Sequence, residues 1–394
     1  MPVDHEKRLM KGKKPLKILH VPGNVGGNPQ AITRTERRFG VESHSVALNS
    51  SVFAYPGDEI LWAPGTGLLR REFKRLGLIW RAAREFDVIH YNFGTTIADP
   101  PYPVDKNRHN RYPAFLHWPY WYYTSRLQIF ELHLMKKLGK VIFVTYQGND
   151  ARQGDYCRDH FDISTYEAGG TTFYSPAWDE EKRRRIKMFD RFADKIYALN
   201  PDLMHVLPER TEFLPYANVD LEDWLPVEAQ NKHPHLVHAP SNRGMKGTQY
   251  ILDAVEKLQQ EGVKFTFELV ENIPNSQARL IYEKADLLVD QLLVGWYGGL
   301  ALEFMALGKP VICYMREDDQ KFITKDMREN LPIIKADPDT IFDVLKVWLT
   351  NSDAARKKQG ARSRKFVEHW HDQNRLVSDI VTSYVQASTA KSDP

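Results

Sequence analysis

The chain contains two series of short apolar segments that alternate with helical patterns, and each series begins with an apolar run followed by a polar loop. Leu16 to Val21 begins the first series and leads into a loop, Pro22 to Asn28, that contains three glycines. Leu236 to Ala239 begins the second series, shortly after a polar, proline-bounded stretch at 225–234. Alternating strands and helices form parallel sheets covered by helices. The repetition therefore predicts an α/β protein with two doubly wound, Rossmann-like domains.

The limits of the predicted domains follow from these two series. We assign residues 15–225 to an N-terminal domain, 233–370 to a C-terminal domain and 371–394 to a helical tail, for which packing back on the N-terminal domain is one option. Residues 100–124 are rich in proline and aromatic side chains and indicate an insertion in the first domain. Ligands of doubly wound sheets bind beyond the carboxyl ends of the strands, so we expect the site in the cleft between two facing domains.

Length, charge and cysteine content exclude several classes of protein. With 394 residues, the chain is too long for one ordinary domain. Its 54 basic and 51 acidic residues give a net charge of +3, and this near balance argues against a protein built around nucleic acid. The two cysteines, Cys157 and Cys313, are far apart in sequence, and no cluster of cysteine and histidine has zinc spacing. Neither a disulfide framework nor a zinc site is therefore expected.

The N-terminal segment does not have the pattern of a secretory signal. Met1 to Lys14 is polar and basic and lacks an apolar core. No stretch approaches the roughly 18 consecutive apolar residues that a membrane span requires. We therefore expect a cytoplasmic protein, with peripheral attachment to the inner face of the membrane as the alternative.

The segment 295–312 carries the strongest functional signal in the chain. It predicts a glycine turn, a short apolar helix in which Glu303 is the only charge between positions 300 and 307, and then a strand. Gly298 and Gly299 would let a phosphate approach backbone N–H groups at the start of the helix, where anions are favoured. One turn inside the helix, Glu303 could accept hydrogen bonds from a ribose. The alternative is that Glu303 reaches a backbone donor or an arginine and only braces the helix.

A second loop carries two cations close together. Arg243 and Lys246 lie three residues apart on the glycine-flanked loop that follows the first strand of the second series. A forked guanidinium and a compact ammonium together suit a diphosphate. The alternative is that both are solvated loop cations. The loop and the glycine turn both follow strands of one predicted sheet, and this convergence favours a shared binding site.

On these residues the chain resembles the retaining glycosyltransferases of GT-B fold, family 4 of the sugar-enzyme classification. The resemblance runs from Leu16 to about Trp370 and is most specific at the loop containing Arg243 and at 298–312. It implies transfer of a sugar from a UDP- or GDP-linked donor to an acceptor hydroxyl, with retention at the anomeric carbon. It also implies a cleft between two facing domains, with the donor on the C-terminal side.

The resemblance also implies roles for individual residues. Donor binding falls to Arg243 and Lys246 on the pyrophosphate, Gly298, Gly299 and Leu300 on the glycine turn, and Glu303 on the ribose. The N-terminal glycine loop near the donor phosphate and the acceptor comprises Gly26, Gly27 and Asn28. Asn92, Asn149 and Arg152 are the acceptor-side candidates, and Gln147 and Asp150 are the catalytic candidates.

Two positions depart from the family pattern. The first glutamate of an E-x7-E pair contacts the donor sugar in the family, and this chain has Gly295 at that position. A histidine beside the transferred sugar is replaced here by Gln147. Gln147 can donate and accept hydrogen bonds but cannot act as a base. Because the leaving phosphate can take the acceptor proton, a retaining transfer does not strictly need that base. The alternatives are a catalytically silent, nucleotide-binding relative and a nucleotide-sugar epimerase.

The expected partners follow from the same resemblance. They are a nucleotide-sugar donor and a carbohydrate or glycan acceptor, with a lipid-linked acceptor as one option. No cofactor or metal is expected. Asp337 to Asp339 looks like a metal-binding DxD motif, but it precedes an apolar-periodic run and is better explained as a helix cap.

The basic helical pattern from Leu68 to Arg84 allows two interpretations. We expect its apolar positions, Leu69, Phe73, Leu76 and Trp80, to pack on the sheet while its arginines are solvated. The alternative is that the helix and the aromatic insertion bind an anionic bilayer surface. For the insertion we expect a role on the acceptor side.

Overall fold

A computed structural model describes residues 14–23, 25–50, 53–55, 57–99, 114–166, 168 and 174–391. For Val25 and residues 114–117 it describes the backbone only. The described residues form two parallel β-sheets covered by helices. The predicted α/β fold with two Rossmann-like sheets is therefore confirmed.

The first sheet has seven parallel strands in the order β3-β2-β1-β4-β5-β6-β7. They are β1 (Lys17–Pro22), β2 (Glu42–Ala47), β3 (Glu59–Ile60), β4 (Val88–Asn92), β5 (Val141–Tyr146), β6 (Lys195–Ala198) and β7 (Glu212–Phe213). The second sheet has five parallel strands in the order β12-β11-β10-β8-β9. They are β8 (His235–His238), β9 (Thr266–Leu269), β10 (Leu287–Val289), β11 (Val311–Cys313) and β12 (Ile334–Lys335). Both strand orders reverse direction at the first strand of the series, as in doubly wound folds.

The helices connect these strands and cover both faces of each sheet. Those on the N-terminal side are α1 (Asn28–Arg38), α2 (Leu68–Glu85), α3 (Ala114–Lys137), α4 (Gly154–His160) and α5 (Pro176–Phe192). The C-terminal ones are α6 (Arg243–Lys246), α7 (Thr248–Gln260), α8 (Asn275–Lys284), α9 (Gly299–Ala306), α10 (Lys325–Asn330), α11 (Ile341–Thr350), α12 (Asp353–Trp370) and α13 (Gln373–Ala390). Because helices cover both faces, strands such as β5 are buried along their whole length and read as continuous apolar runs.

The last helix returns to the first sheet. Val377 and Ile380 of α13 pack in one cluster with Ile18 of β1 and Val141 of β5. The chain therefore crosses between the two domains twice, once after β7 and once between α12 and α13.

The two crossings are joined by buried hydrogen bonds. His371 places Nδ1 2.8 Å from the carbonyl oxygen of Tyr216 and Nε2 2.9 Å from the hydroxyl of Tyr297. Gln373 donates from Nε2 to the carbonyl oxygen of Ala217 at 2.7 Å. Burial lowers the pKa of His371 to about 4, so the ring is neutral at pH 7. These contacts hold the domains together at the back of the cleft.

The expected orientation of α2 is wrong. Leu69, Phe73 and Trp80 are exposed, whereas Leu78 and Ile79 face the core. Arg75 is also buried, and its guanidinium is satisfied by Glu72 and by backbone carbonyl oxygens of the loop after β4. A buried cation is tolerated when it is paired in this way. The sequence pattern hid this arrangement because an arginine stands on the buried face.

The aromatic insertion is only partly described. Residues 100–113 lie outside the described residues, but from Ala114 onwards the chain is helical. Helix α3 therefore begins within the segment 100–124 that the sequence indicated as an insertion. Pro119 lies within it and costs the helix one backbone hydrogen bond. Among the described residues, no helix is long and apolar enough to cross a membrane.

The contact between α13 and the first sheet generates a stability prediction. The hydroxyl of Tyr384 lies 2.5 Å from Nδ1 of His90, and Nε2 of His90 lies 2.7 Å from Oγ1 of Thr145. We expect Tyr384→Phe to lower the free energy of unfolding by about 1–3 kcal/mol, because it leaves a buried ring nitrogen without its partner. Urea denaturation measures this loss. Tyr250→Phe, at an exposed tyrosine, is the control, and equal losses in both variants would contradict the argument.

Candidate functional site

A cavity of about 420 Å³ lies between the carboxyl edges of the two sheets. Both domains line it. The predicted site residues among its lining are Gly26, Gln147, Asn149, Arg152, Lys246, Gly298, Gly299, Leu300 and Glu303. Gly27, Asn28, Asn92, Asp150 and Arg243 are not among its lining residues. The cleft thus brings together most of the residues that the sequence singled out in both domains.

The glycine turn and Lys246 share one buried carboxylate. Asp290, directly after β10, accepts hydrogen bonds from Nζ of Lys246 at 2.9 Å and from the backbone N–H of Gly298 at 2.7 Å. Sequence analysis missed Asp290. The signal was available, because an acidic residue that directly follows an apolar strand stands at the ligand-binding edge of the sheet. Asp290 sets the position of the ammonium group against the start of α9.

The start of α9 forms an anion-binding surface. Gly298 is the N-cap residue, and the helix runs from Gly299 to Ala306. A Cβ atom at Gly299 would lie 3.0 Å from Nδ2 of Asn218, which belongs to the segment that crosses between the domains. Only glycine therefore fits here without displacing Asn218. The positive end of this helix and the ammonium group of Lys246 both favour a negative ligand.

Glu303 is buried one turn inside α9 and faces the cavity. Its Oε1 accepts a hydrogen bond from Nδ2 of Asn275 at 3.0 Å. Burial raises the pKa of Glu303 to about 8, although the hydrogen bond from Asn275 and the charge of Arg279 act in the opposite direction. The Glu303 partner is thus a neutral amide that also lines the cavity, rather than the backbone donor or arginine of the bracing alternative.

Arg243 lies outside the cavity. Its side chain is 58% exposed and forms a bidentate ion pair with Glu271, with Nε and Nη2 at 2.9 and 2.5 Å from the carboxylate oxygens. Glu271 itself lines the cavity. Arg243 and Lys246 stand at the two ends of a single helical turn, α6, that is capped by Asn242. A phosphate contact by Arg243 remains a prediction, and it requires the guanidinium to leave Glu271.

On the N-terminal side, Asp150 supports the loop that carries Gln147. Its carboxylate accepts hydrogen bonds from the backbone N–H groups of Gln147 at 3.1 Å and of Gly148 at 2.6 Å. Burial raises the pKa of Asp150 to about 6, against the lowering effect of these hydrogen bonds. The carboxylate of Asp150 therefore binds the loop backbone and does not line the cavity. Gln147 lines the cavity, and its buried Nε2 has no hydrogen-bond partner among the described residues.

Arg152 and Asn149 extend this polar wall. The guanidinium of Arg152 pairs with Asp202, with Nε 2.6 Å and Nη2 3.2 Å from the carboxylate oxygens. Its Nη1 donates to Oδ1 of Asn149 at 3.0 Å. Because Asp202 neutralises the buried guanidinium, Arg152 offers the cavity oriented N–H groups rather than a free charge.

One residue of the N-terminal glycine loop lines the cavity, and the other two contact residues around it. Gly26 lines the cavity. Gly27 has φ of 70°, and a Cβ atom there would lie 2.6 Å from the ring of Tyr55, another lining residue. Asn28 is the first residue of α1, and its Oδ1 accepts a hydrogen bond from the N–H of Ala217 at 2.9 Å. Asn92 is buried in β4, where Nδ2 lies 3.1 Å from Nδ1 of His20.

At Gly295 the space for a side chain is already filled. Gly295 has φ of 94°, and a Cβ atom would lie 2.5 Å from Nη1 of Arg316. Arg316 is buried, pairs with Asp319 at 2.8 Å and lies over the ring of Phe161 at 3.7 Å. A glutamate at position 295 would displace this arginine. The packing of Arg316 therefore excludes the first glutamate of the E-x7-E pattern.

The Glu303 carboxyl generates a prediction about pH. Its pKa rises from an ordinary value of 4.5 to about 8 on folding, so its contribution to stability is complete below pH 4.5 and is lost as the pH rises through 8. Relative to Glu303→Gln, we expect the wild-type protein to lose about 2–5 kcal/mol of unfolding free energy over this range. Urea denaturation at several pH values measures the difference. Glu209→Gln, at an exposed position, should leave the wild-type pH profile unchanged, and parallel profiles for wild type and Glu303→Gln would contradict the prediction.

Comparisons with known proteins place this geometry in context. No model of a protein family matches the chain, and no curated protein matches it. Many solved structures do match. A sucrose-phosphate synthase from Thermosynechococcus elongatus is 14% identical over 96% of this chain and 100% of its own, with a TM-score of 0.61.

Two further structures have the same architecture. HepE of Anabaena in complex with UDP-glucose is 11% identical over 93% of this chain and 100% of its own, with a TM-score of 0.57. A Listeria monocytogenes structure described as a UDP-N-acetylglucosamine 2-epimerase is 10% identical over 94% and 95%, with a TM-score of 0.51. At such identities a likeness shows the fold alone. With its two parallel sheets facing one cleft, the protein has the GT-B fold.

Proposed function

We propose that the protein is a glycosyltransferase that moves a sugar from a UDP- or GDP-linked donor to an acceptor hydroxyl, with retention at the anomeric carbon. One observation carries the proposal. A single cavity places Lys246 and the first turn of α9 beside Glu303, a buried carboxylate one helical turn away. This combination suits a diphosphate joined to a ribose. The fold supports the proposal, because known transferases such as sucrose-phosphate synthase share it.

In this proposal the C-terminal domain binds the donor. The pyrophosphate lies against the N–H groups at the start of α9, where Lys246 supplies the charge. Asp290 holds one N–H of the ammonium group and leaves the others for phosphate oxygens. The ribose hydroxyls donate to Glu303, and their hydrogen bonds favour its ionised form and lower its pKa again.

The N-terminal domain then completes the site for transfer. The bond between the anomeric carbon and the phosphate oxygen breaks, and the acceptor oxygen attacks from the same face, which retains the configuration. The acceptor proton passes to an oxygen of the leaving phosphate, so Gln147 need not act as a base. The free Nε2 donor of Gln147 can instead hold a sugar hydroxyl. Asn149 and Arg152 form the wall on which a carbohydrate or glycan acceptor would lie.

We further propose that transfer does not depend on a metal ion. Lys246 and the α9 N-terminus already supply positive charge at the leaving diphosphate, where a metal would otherwise act. Among the described residues, no group of three or more acidic, histidine or cysteine side chains could hold a metal ion. The carboxylate of Asp337 binds its own turn, because its Oδ1 accepts hydrogen bonds from the N–H groups of Asp339 and Thr340.

One observation favours a second candidate, a catalytically silent relative that binds nucleotide. Arg316 fills the space at Gly295, so no carboxylate reaches the donor sugar from that position. The same absence weakens the epimerase alternative, because an epimerase needs groups for acid–base chemistry on the sugar ring.

Incubation with UDP- and GDP-linked sugars tests these candidates together. A transferase releases nucleoside diphosphate slowly even without acceptor and faster with one. An epimerase converts one nucleotide sugar into another, and a silent relative gives a thermal shift without turnover. The proposal requires nucleotide release, and a panel that produced only thermal shifts would overturn it.

The diphosphate contact leads to a prediction about Lys246. We expect Lys246→Met to weaken the binding of UDP or GDP by about 1.5–3 kcal/mol, because it removes a charge-assisted contact. The variant also leaves Asp290 buried without its cation, so Lys246→Met with Asp290→Asn should be measured beside it by isothermal titration calorimetry. Lys264→Met, at an exposed lysine, is the control. Wild-type affinity in the double variant would show that the diphosphate lies elsewhere.

Metal independence leads to a separate prediction. Turnover with the active donor should remain within about twofold of its initial value after treatment with EDTA, since Lys246 and α9 stabilise the leaving group. Nucleotide release is measured with and without added Mg²⁺ or Mn²⁺. Loss of turnover that either ion restores would contradict this part of the proposal while leaving the donor site intact.

A further inference from the structure

Helix α2 presents a continuous stripe of exposed apolar side chains. Leu69, Phe73, Leu76 and Trp80 follow one another at intervals of four, three and four, so they share one face of the helix. Their exposed fractions are 76%, 77%, 43% and 61%. Single exposed apolar residues are ordinary, but a stripe of four large side chains marks an interaction surface.

The neighbouring helix α3 also has exposed aromatic side chains. Trp118 and Tyr122 lie one turn apart on α3 and are 65% and 57% exposed, and Phe130 is 58% exposed. The two helices are adjacent, because the hydroxyl of Tyr120 on α3 donates to Glu72 on α2 at 2.5 Å. We call the exposed apolar side chains of these two helices, together with the cations beside them, the α2–α3 face.

Positive charge accompanies the apolar side chains. Helix α2 contains six basic and two acidic residues. Arg75 is buried against Glu72 and Arg81 pairs with Glu59, whereas Arg70 and Arg84 are exposed beside the stripe. Arg84 lies over the ring of Trp80 at 4.9 Å, and Arg126 lies over the ring of Tyr122 at 5.0 Å. Exposed aromatic rings with cations beside them suit the boundary between lipid headgroups and acyl chains, where anionic lipids attract the basic side chains.

The α2–α3 face starts at the edge of the sheet that borders the cavity. Helices α2 and α3 each come after a strand of a parallel sheet, β3 and β4, so their N-terminal turns lie toward the carboxyl edge of that sheet. Phe93, directly after β4, lines the cavity. Leu69 and Trp118, near the beginnings of their helices, therefore stand toward the same edge as the cleft.

We propose that the α2–α3 face binds the surface of an anionic bilayer and holds the mouth of the cleft next to it. The apolar stripe inserts at the headgroup boundary, and the basic side chains, including exposed Arg70 and Arg84, contact anionic headgroups. The exposed cations beside the stripe favour this occupant over a second copy of the chain, because two such faces would repel each other. The inference does not depend on the chemistry proposed for the cavity.

Vesicle co-sedimentation of the full chain tests the proposal. The vesicles contain phosphatidylcholine with about 30% phosphatidylglycerol, or phosphatidylcholine alone, at about 150 mM salt. We expect binding to the anionic vesicles to be at least about tenfold tighter than to the neutral ones. A triple variant, Leu69→Gln, Phe73→Gln and Trp80→Gln, should lose at least about tenfold in binding. These side chains are exposed, so circular dichroism should show an intact fold.

Matched controls distinguish vesicle binding by the α2–α3 face from nonspecific binding by other exposed apolar or basic residues. Leu280→Gln with Val347→Gln changes two equally exposed apolar residues of the C-terminal domain. Arg70→Gln, Arg84→Gln and Arg126→Gln remove cations from the face, and Lys264→Gln, Arg328→Gln and Lys365→Gln remove cations elsewhere. Only the changes on the face should reduce binding.

Several results would overturn the proposal. They are absence of binding to anionic vesicles, equal binding to neutral vesicles, and wild-type binding by the triple variant. Light scattering supplies another. A wild-type dimer that the triple variant converts to a monomer, without vesicle binding, would show that the face joins two copies of the chain. Nucleotide affinity should be unchanged in the triple variant, so failure here would leave the proposed function untouched.

Discussion

The arrangement of the cavity depends on one buried carboxylate, Asp290. It holds the ammonium group of Lys246 and the first N–H of the glycine turn at the same time, so two segments that are far apart in sequence take a common position. An unpaired carboxylate at this depth would be costly, and the two donors stabilise its charge. The result is a pre-organised set of hydrogen-bond donors at the start of α9. Without Asp290, no shared hydrogen-bond acceptor would fix the lysine relative to the glycine turn.

The cleft also requires that its two walls keep a fixed position relative to each other. His371 and Gln373 bond to the carbonyl oxygens of Tyr216 and Ala217, so the two chain crossings form one buried junction. Asn28 bonds to the N–H of the same Ala217 and ties the first helix of the N-terminal domain to the junction. The glycine loop before Asn28 is thereby set relative to the C-terminal domain. Both walls of the cavity depend on hydrogen bonds that lie behind it.

The two departures from the family pattern have different structural characters. At Gly295 the space is occupied by Arg316, which pairs with Asp319, so the change involves several residues that pack together. At Gln147 the change is local, because the side chain still faces the cavity and its amide nitrogen lacks a protein partner. The first departure removes a group from the site, and the second exchanges one hydrogen-bonding group for another. The sugar contacts of the proposed transfer therefore differ in kind from those that the resemblance implies.

The amino-acid sequence was sufficient to predict the fold and the main elements of the cleft. Buried parallel strands are continuous apolar runs, and the glycines and charges that follow them stand at one edge of the sheet whatever the details of packing. For this reason the pattern predicted Lys246, Gly298 and Glu303 at the cleft, and all three line the cavity. Residues whose roles depend on a partner distant in sequence were not found in this way, and Asp290 is the clearest example.

Side-chain direction required the tertiary structure. A single turn of helix separates Arg243 from Lys246, and the position of Glu271 draws the arginine out of the cavity. Similarly, Asp150 stands behind its loop because backbone N–H groups bind its carboxylate. In α2 a paired, buried Arg75 rotates the helix so that Phe73 faces outward. Periodicity shows which residues share a face, but the contacts between elements decide where that face points.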